Sequence, residues 1–384
     1  MKEDMSSMYG NGVWELVEIP VGFKPIDCKW IYKTKKDAKG KIKRFKARLV
    51  AKGYIQKEGI DYRETFSMVS SKDSFRIIMA LIAHFDLELH QMDVKIAFLN
   101  GDLLEEVYMM QVEGFEVEGN EHMDCRAGVD PINKGNKLST KQCPKNNLEK
   151  EQMKGVPYSS VVGSLMYSQV CTRPHMAFAT SILRRYLSNP GYDHWITTKK
   201  ALRYLRKTRD HMLVYRRVEN LEVVGFTDTD FAGCTDNRKS TTGYIFMLLG
   251  GAISWKSSKQ SIPVASTMEV EVITYFEAGG HAKWLRNFAT ELKVIDSIYK
   301  ALKIYCDNSS TVSFSKSTKN TNGAKFIELK YFKIRLWVDN GDTEYEHIGT
   351  EDMFVDPLTK GLKPIDFERH VRNMGLSFSL DILG

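Results

Sequence analysis

This chain of 384 residues is poor in cysteine and has no long apolar run. Its six cysteines, Cys28, Cys125, Cys143, Cys171, Cys234 and Cys306, stand far apart, with no Cys-any-any-Cys pair and no histidine at zinc-knuckle spacing. That excludes a structural zinc site of the familiar spacings. His175, His194, His281 and His347 are isolated from ligand-like neighbours in sequence and read as core, cap or surface histidines. No stretch approaches the roughly 20 apolar residues that a bilayer span requires, so no membrane partner is expected. The first ten residues, MKEDMSSMYG, lack a signal-peptide pattern. The expectation is an intracellular protein, cytoplasmic or nuclear and not secreted, with reduced thiols.

What is present is an ordinary globular composition, 42% hydrophobic and 27% charged, enough for two or three domains each with its own core. The net charge of +7 is compatible with a polyanionic partner, and its distribution says more than its size. Between Lys29 and Lys57, Lys33, Lys35, Lys43, Arg44, Lys46, Arg48 and Lys52 alternate with Trp30, Tyr32, Phe45 and Tyr54. The alternation predicts a β-hairpin turning at Asp37 to Lys41. A basic ribbon with interleaved aromatics can follow phosphates and stack bases, where a plain reading gives a solvated hairpin face. A second basic set, Arg184, Arg185, Lys199, Lys200, Arg203, Arg206 and Lys207, lies between apolar residues at helical spacing. There a solvated surface and a nucleic-acid-facing one remain open.

Four acids carry the chemistry. Asp228 sits in VVGFTDTDFAG, a buried strand running into a turn, and Asp307 closes the apolar run LKIYCD. Glu271 lies on the helical stretch STMEVEVITYFEA, and Asp356 in TEDMFVDPLTKGL opens a last helix. Glu271 is preferred to Glu269 because two helical positions rotate a side chain by roughly 200°. Asp230 can share the strand face of Asp228, since strand side chains alternate. Four carboxylates gathered by a fold suit hard cations, Mg²⁺ or Mn²⁺ in its place, and two such ions can assist phosphodiester hydrolysis.

Longer strings resemble a known family. WELVEIPVGFKPIDCKWIYKTKKDAKGKIKRFKARLVAKGY, QMDVKIAFLNGDLLEEVYM, PYSSVVGSLMYSQVCTRP, RKSTTGYIFMLLGGAISWKSSKQ, STMEVEVITYFEA and VDPLTKGL are similar to the Pol polyprotein of plant copia-type LTR retrotransposons. The resemblance implies a partial reverse transcriptase followed by ribonuclease H, with Asp228, Glu271, Asp307 and Asp356 as metal ligands and catalytic acids, two Mg²⁺ ions and an RNA–DNA hybrid as partner. Asp93 matches the first carboxylate of the polymerase palm. The family's tyrosine-any-Asp-Asp hairpin is missing, since no two aspartates adjoin anywhere in the chain. The similarity breaks between about Asn120 and Pro131, as an internal deletion would produce, so polymerase activity is expected to be lost. Two smaller departures are Phe326, in KFIELKY, where the family has histidine, and His175 where it has aspartate.

The expected fold class is α/β. A truncated reverse-transcriptase fingers and palm fragment covers 10–120, a linker or deletion scar 121–155, a helical connection 156–215, and a ribonuclease H-like mixed sheet with flanking helices 216–376. The expected activity is Mg²⁺-dependent hydrolysis of RNA in RNA–DNA hybrids. The alternative is a catalytically inactive transposon relic that only binds nucleic acid.

Overall fold

The computed structural model describes residues 28–36, 42–51, 71–90, 130–132, 138–218, 221–262, 264, 266–292, 300–315 and 325–378. The chain divides into two units, Met1–Val69 with His90–Met123, and Ser70–Leu89 with Asp124–Gly384.

In the first unit β1 (Cys28–Lys36) and β2 (Ile42–Ala51) form the expected antiparallel hairpin. Its register sets Lys33 opposite Lys46 and Lys35 opposite Arg44, while Trp30 faces Leu49 and Thr34 faces Phe45. Positions 33, 35, 44 and 46 therefore fall on one face of the ladder. Lys43 and Arg48 also lie on β2. Lys52, the turn and Asp93 lie outside the described residues.

The second unit begins with α1 (Lys72–Phe85), capped by Ser71, whose side chain accepts from the Ser74 backbone N–H at 3.1 Å. This helix lies inside the span 10–120 expected as the polymerase fragment, yet it belongs to the second unit. The reason is its apolar stripe: Ile77, Ala80 and Leu81 are buried in the same cluster as Phe246, Ile253 and Leu285. Arg76 fixes the contact, donating to the Ile253 carbonyl at 2.5 Å and the Val170 carbonyl at 2.8 Å, with its guanidinium 4.0 Å from the Trp255 ring centre.

The span 121–155, expected as a linker, contains α2 (Asn147–Met153). The Asn146 side chain caps it by accepting from the Glu149 N–H at 2.8 Å, and Leu138, Cys143 and Met153 pack against a neighbouring core. Polar caps and three spaced apolar residues suffice for one turn-and-helix, a pattern too sparse to show as periodicity. Then come α3 (Tyr158–Thr172), α4 (Ala177–Leu183) and α5 (Tyr192–Lys207). Residue Gly191 caps α5, at the Asn189-Pro190-Gly191 break.

After a short strand β3 (His211–Leu213) come β4 (Val224–Asp230), β5 (Thr241–Leu248), β6 (Gly251–Lys259), α6 (Thr267–Glu291), β7 (Leu302–Cys306), α7 (Ser309–Ser315), α8 (Lys325–Asp339), β8 (Thr343–His347), α9 (Pro364–Asn373) and β9 (Leu376–Phe378). Five strands form one mixed sheet in the order β6-β5-β4-β7-β8; β4, β5 and β6 are antiparallel, and β7 runs parallel to both β4 and β8. β3 and β9 pair separately, which closes the helical segment and the chain's last described residues into one body. The β5–β6 reversal uses Leu249 at φ 55 and Gly250 at φ 74. Positive φ at both central residues matches the right-handed twist of a two-residue hairpin.

All eight residues of β5 are buried, because helices cover both faces of the sheet. Phe246 and Leu248 join Tyr275, Leu285, Ile334 and Trp337 on one side, with α1, α6 and α8. Ile245 and Met247 join Val162, Leu165, Leu183, Tyr204 and Phe367 on the other, with α3, α4, α5 and α9. The segment expected as a connection, 156–215, is therefore the second helical layer of this sheet.

Candidate active site

Asp228 stands late in β4, near where the strand leaves the core for a polar turn, and is 3% exposed. Asp307 follows the last residue of β7, the parallel neighbour of β4, so both arise from the same end of adjacent strands. Glu271 is 5% exposed on the first turns of α6, which crosses β4. Asp356 opens a 3-10 turn, Asp356–Leu358, well before the last helix, and not the start of that helix as expected. Proline at 357 and the long gap to Pro364 make it a separate turn.

Asp228, Glu271 and Asp356 each feel the charges of their acidic neighbours. Burial raises the Asp228 carboxyl to about 6, with the charges of Asp356 and Asp307 adding to the rise. Burial likewise raises Glu271 to about 8, with contributions from Asp228 and Asp307, and raises Asp356. Asp230, on the same strand, is also raised by burial and then by Asp228.

Three of the acids are held by specific neighbours. The Thr229 hydroxyl donates to Glu271 Oε1 at 2.8 Å, while Glu271 Oε2 is buried without a hydrogen-bond partner. The Thr359 hydroxyl donates to Asp228 Oδ2. Lys360 Nζ stands 3.1 Å from Asp356 Oδ1 and 3.5 Å from Asp228 Oδ2, so these two oxygens lie no further apart than those lengths end to end. Burial alone would lower the Lys360 ammonium; Asp228 and Asp356 more than offset it and keep it above its ordinary value.

Gly243 lets this turn approach. It lies directly opposite Asp228 on β5, and a Cβ there would come within 2.7 Å of Thr359 and 3.1 Å of Leu358. The residues that the sequence alone did not single out are thus Gly243, Thr359 and Lys360. Lys360 carried one legible signal, its place four residues after Asp356, where side chains on a helical turn meet.

The donor set fits a hard cation: carboxylate oxygens only, one of them, Glu271 Oε2, buried with no protein partner. Among the described residues, however, no three His, Cys, Asp or Glu side chains stand in an arrangement ready to hold a metal. The hydrogen bonds from Thr229 and Thr359 and the Lys360 ion pairs engage these carboxylates instead.

The histidines are structural. His175 is fully buried with no hydrogen-bond partner for either ring nitrogen, edge-on to Tyr204 and Phe367. His194 Nδ1 accepts from the Gly191 N–H at 2.9 Å and caps α5. His281 has a partner the sequence did not reveal, Ser254 Oγ at 2.6 Å, with Asp73 Oδ2 at 3.6 Å. Both contacts reach the same ring nitrogen, Nε2, so this is a tie between α1, β6 and α6 and not a relay aimed at the serine.

Comparison with known proteins places the chain. A reverse transcriptase (RNA-dependent DNA polymerase) family model matches residues 11–130. The Retrovirus-related Pol polyprotein from transposon TNT 1-94 of Nicotiana tabacum is 35% identical over 96% of this chain and 37% of its own length. That from transposon RE2 of Arabidopsis thaliana is 28% identical over 98% and 34%. A solved ribonuclease H1, LC11-RNase H1 in complex with RNA/DNA hybrid, covers 36% of this chain and 94% of its own at 15% identity and a TM-score of 0.28, a likeness that assigns no role to any residue. The tobacco alignment runs over 492 residues against the 384 of this chain, so at least 108 aligned positions of the relative have no counterpart here. Among the described residues, no helix is long and apolar enough to cross a membrane. The chain spans little more than a third of the curated relatives it matches, and it belongs to the Pol polyproteins of plant copia-type retrotransposons.

Proposed function

We propose that the second unit is a Mg²⁺-dependent ribonuclease acting on the RNA of RNA–DNA hybrids, and that the β1–β2 hairpin grips nucleic acid without supporting polymerisation. The observation that carries the reading is geometric: Asp228 and Asp307 arise from the same end of adjacent parallel strands, Lys360 links Asp228 to Asp356, and Thr229, next to Asp228, holds Glu271. Buried acids raised by burial and by one another, gathered at one end of a sheet, are candidates for a functional site.

In this reading Asp228, Glu271, Asp307 and Asp356 hold Mg²⁺. Bound there, the ions would supply charge to the scissile phosphate and acidify the attacking water. Thr229 fixes the Glu271 carboxylate through Oε1, which leaves Oε2 free to act as a ligand. Thr359 fixes Asp228 in the same manner. Gly243 keeps the strand opposite Asp228 clear, so the 356–360 turn reaches the sheet. The hairpin's facing basic positions, Lys33 with Lys46 and Lys35 with Arg44, gain a counter-charge from a phosphate backbone.

Nucleotidyl transfer is not part of the proposal. Asp93 is the sole palm carboxylate carried by the resemblance, and one carboxylate cannot clamp two ions. The second reading, a relic that only binds nucleic acid, is favoured by Lys360 occupying the space between Asp228 and Asp356. Cleavage of a labelled RNA–DNA hybrid with Mg²⁺, lost with chelator and in Asp307→Asn, separates the two. Hybrid binding without cutting establishes the relic.

A further inference from the structure

Resting on that reading of the site, we propose that Lys360 is a tethered cation that competes with a divalent ion for the Asp228–Asp356 pair, so that an ion shared by those two carboxylates binds only as the lysine leaves. Its ammonium lies 3.1 Å from Asp356 Oδ1 and 3.5 Å from Asp228 Oδ2. The two acids are nearly buried, at 10% and 4% side-chain exposure, whereas Lys360 is at 35%. In the exposed Lys154–Glu151 and Arg372–Glu368 pairs, by contrast, acid and base are about equally open to solvent.

Three features make the lysine removable. Its backbone N–H donates to the Asp356 carbonyl at 3.1 Å, so the turn stays closed whatever the side chain does. A four-carbon stem with a compact, strongly hydrated head can swing out to solvent without moving that turn. Asp228 also keeps the Thr359 hydroxyl when the ammonium departs. Geometry forbids both cations at once. Mg²⁺ demands oxygens at about 2.0–2.1 Å, so the acids must close on an ion more tightly than they close on Lys360. Two positive charges at that separation in a poorly solvated site repel strongly. Lys360 thus holds the pair together against its own repulsion and sets a threshold for metal entry.

The test uses the full chain and Mn²⁺ as the probe, read by isothermal titration calorimetry without nucleic acid. Lys360→Met keeps the stem and removes the charge, and it is expected to bind Mn²⁺ about tenfold or more tightly than wild type. Asp228→Asn is expected to lose the binding. In parallel, acetylation of Lys360 in the wild-type chain, followed by mass spectrometry, is expected to rise on Mn²⁺ addition as the amine is released. This second readout needs no variant to fold. Equal or weaker Mn²⁺ binding by a folded Lys360→Met, or amine reactivity unchanged by Mn²⁺, overturns the role of Lys360; if binding is still lost in Asp228→Asn, the ribonuclease reading stands. Mn²⁺ binding absent in wild type and Lys360→Met alike overturns the metal site itself, and the competition with it.

Discussion

At the scale of single residues, Glu271 is the most exposed to test. Its carboxyl sits near 8 in the folded chain against an ordinary 4.5, first because it is buried and then because Asp228 and Asp307 are near. A group that holds its proton more tightly when folded favours the native state at low pH and penalises it as pH rises. From about 4.5 to about 8 the folded chain therefore loses stability at this residue, and Asp228, raised to about 6, adds a smaller loss of the same sign. The buried histidines oppose it: His370, lowered to about 4 by burial, gains stability as pH climbs towards its ordinary value. The difference between wild type and Glu271→Gln isolates the carboxyl. In urea unfolding with chelator, Glu271→Gln should be more stable at pH 8, by roughly 1–4 kcal/mol, with the gap closing towards pH 5. A gap independent of pH would mean that Glu271 is not protonated in the fold. The sequence showed Glu271 through the family resemblance, with helical phase excluding a shared role for Glu269 two positions away. It could not show Thr359, or the pairing of Lys360 with Asp228, because the partner in both cases lies on β4, more than a hundred residues away.

At the scale of elements, strands and long helices were legible and their packing partners were not. β7 appears at its expected bounds, Leu302–Cys306, because a five-residue apolar run ending in Asp has little else to become. α6 likewise starts one residue after the Ser266 cap that its sequence announces. The destination of α1 was misread, since an amphipathic stripe says that a face must be buried and not against what. Arg76 decides it: 6% exposed, it bridges three carbonyls, of Ile253, Val170 and Cys171, and pairs with Asp73. Arg76→Ala leaves those carbonyls and the Asp73 charge uncompensated, and should cost about 2–4 kcal/mol in thermal unfolding, with faster amide exchange across α1. A loss under about 0.5 kcal/mol would show that the helix docks through its apolar residues alone. Gly243 makes the second element-scale prediction. A valine there drives into Thr359 and Leu358, so Gly243→Val should cost about 1–3 kcal/mol and abolish Mn²⁺ binding in a chain that still folds. Retained binding would show that the 356–360 turn is not part of the site.

At the scale of the whole molecule, the chain joins a hairpin whose basic positions face one another to a complete two-faced α/β layer structure, with the helical segment 156–215 serving as one of the layers. That layer role was hidden because the apolar residues of α3 to α5 fit a self-contained bundle equally well. The chain has no paired aspartates, and 108 or more aligned positions of the tobacco relative find no counterpart in it. Primer extension on an RNA template should yield no product above background at any Mg²⁺ or Mn²⁺ concentration. Templated extension would show that a carboxylate other than Asp93 completes the palm. The measurement that tests the central claim most directly is hybrid cleavage by the purified full chain with Mg²⁺, with chelator, and in Asp307→Asn and Asp228→Asn. The expected result is metal-dependent cutting of the RNA strand, reduced by at least about 100-fold in either variant. No cutting by folded wild-type protein, or cutting equal in both variants, would contradict it.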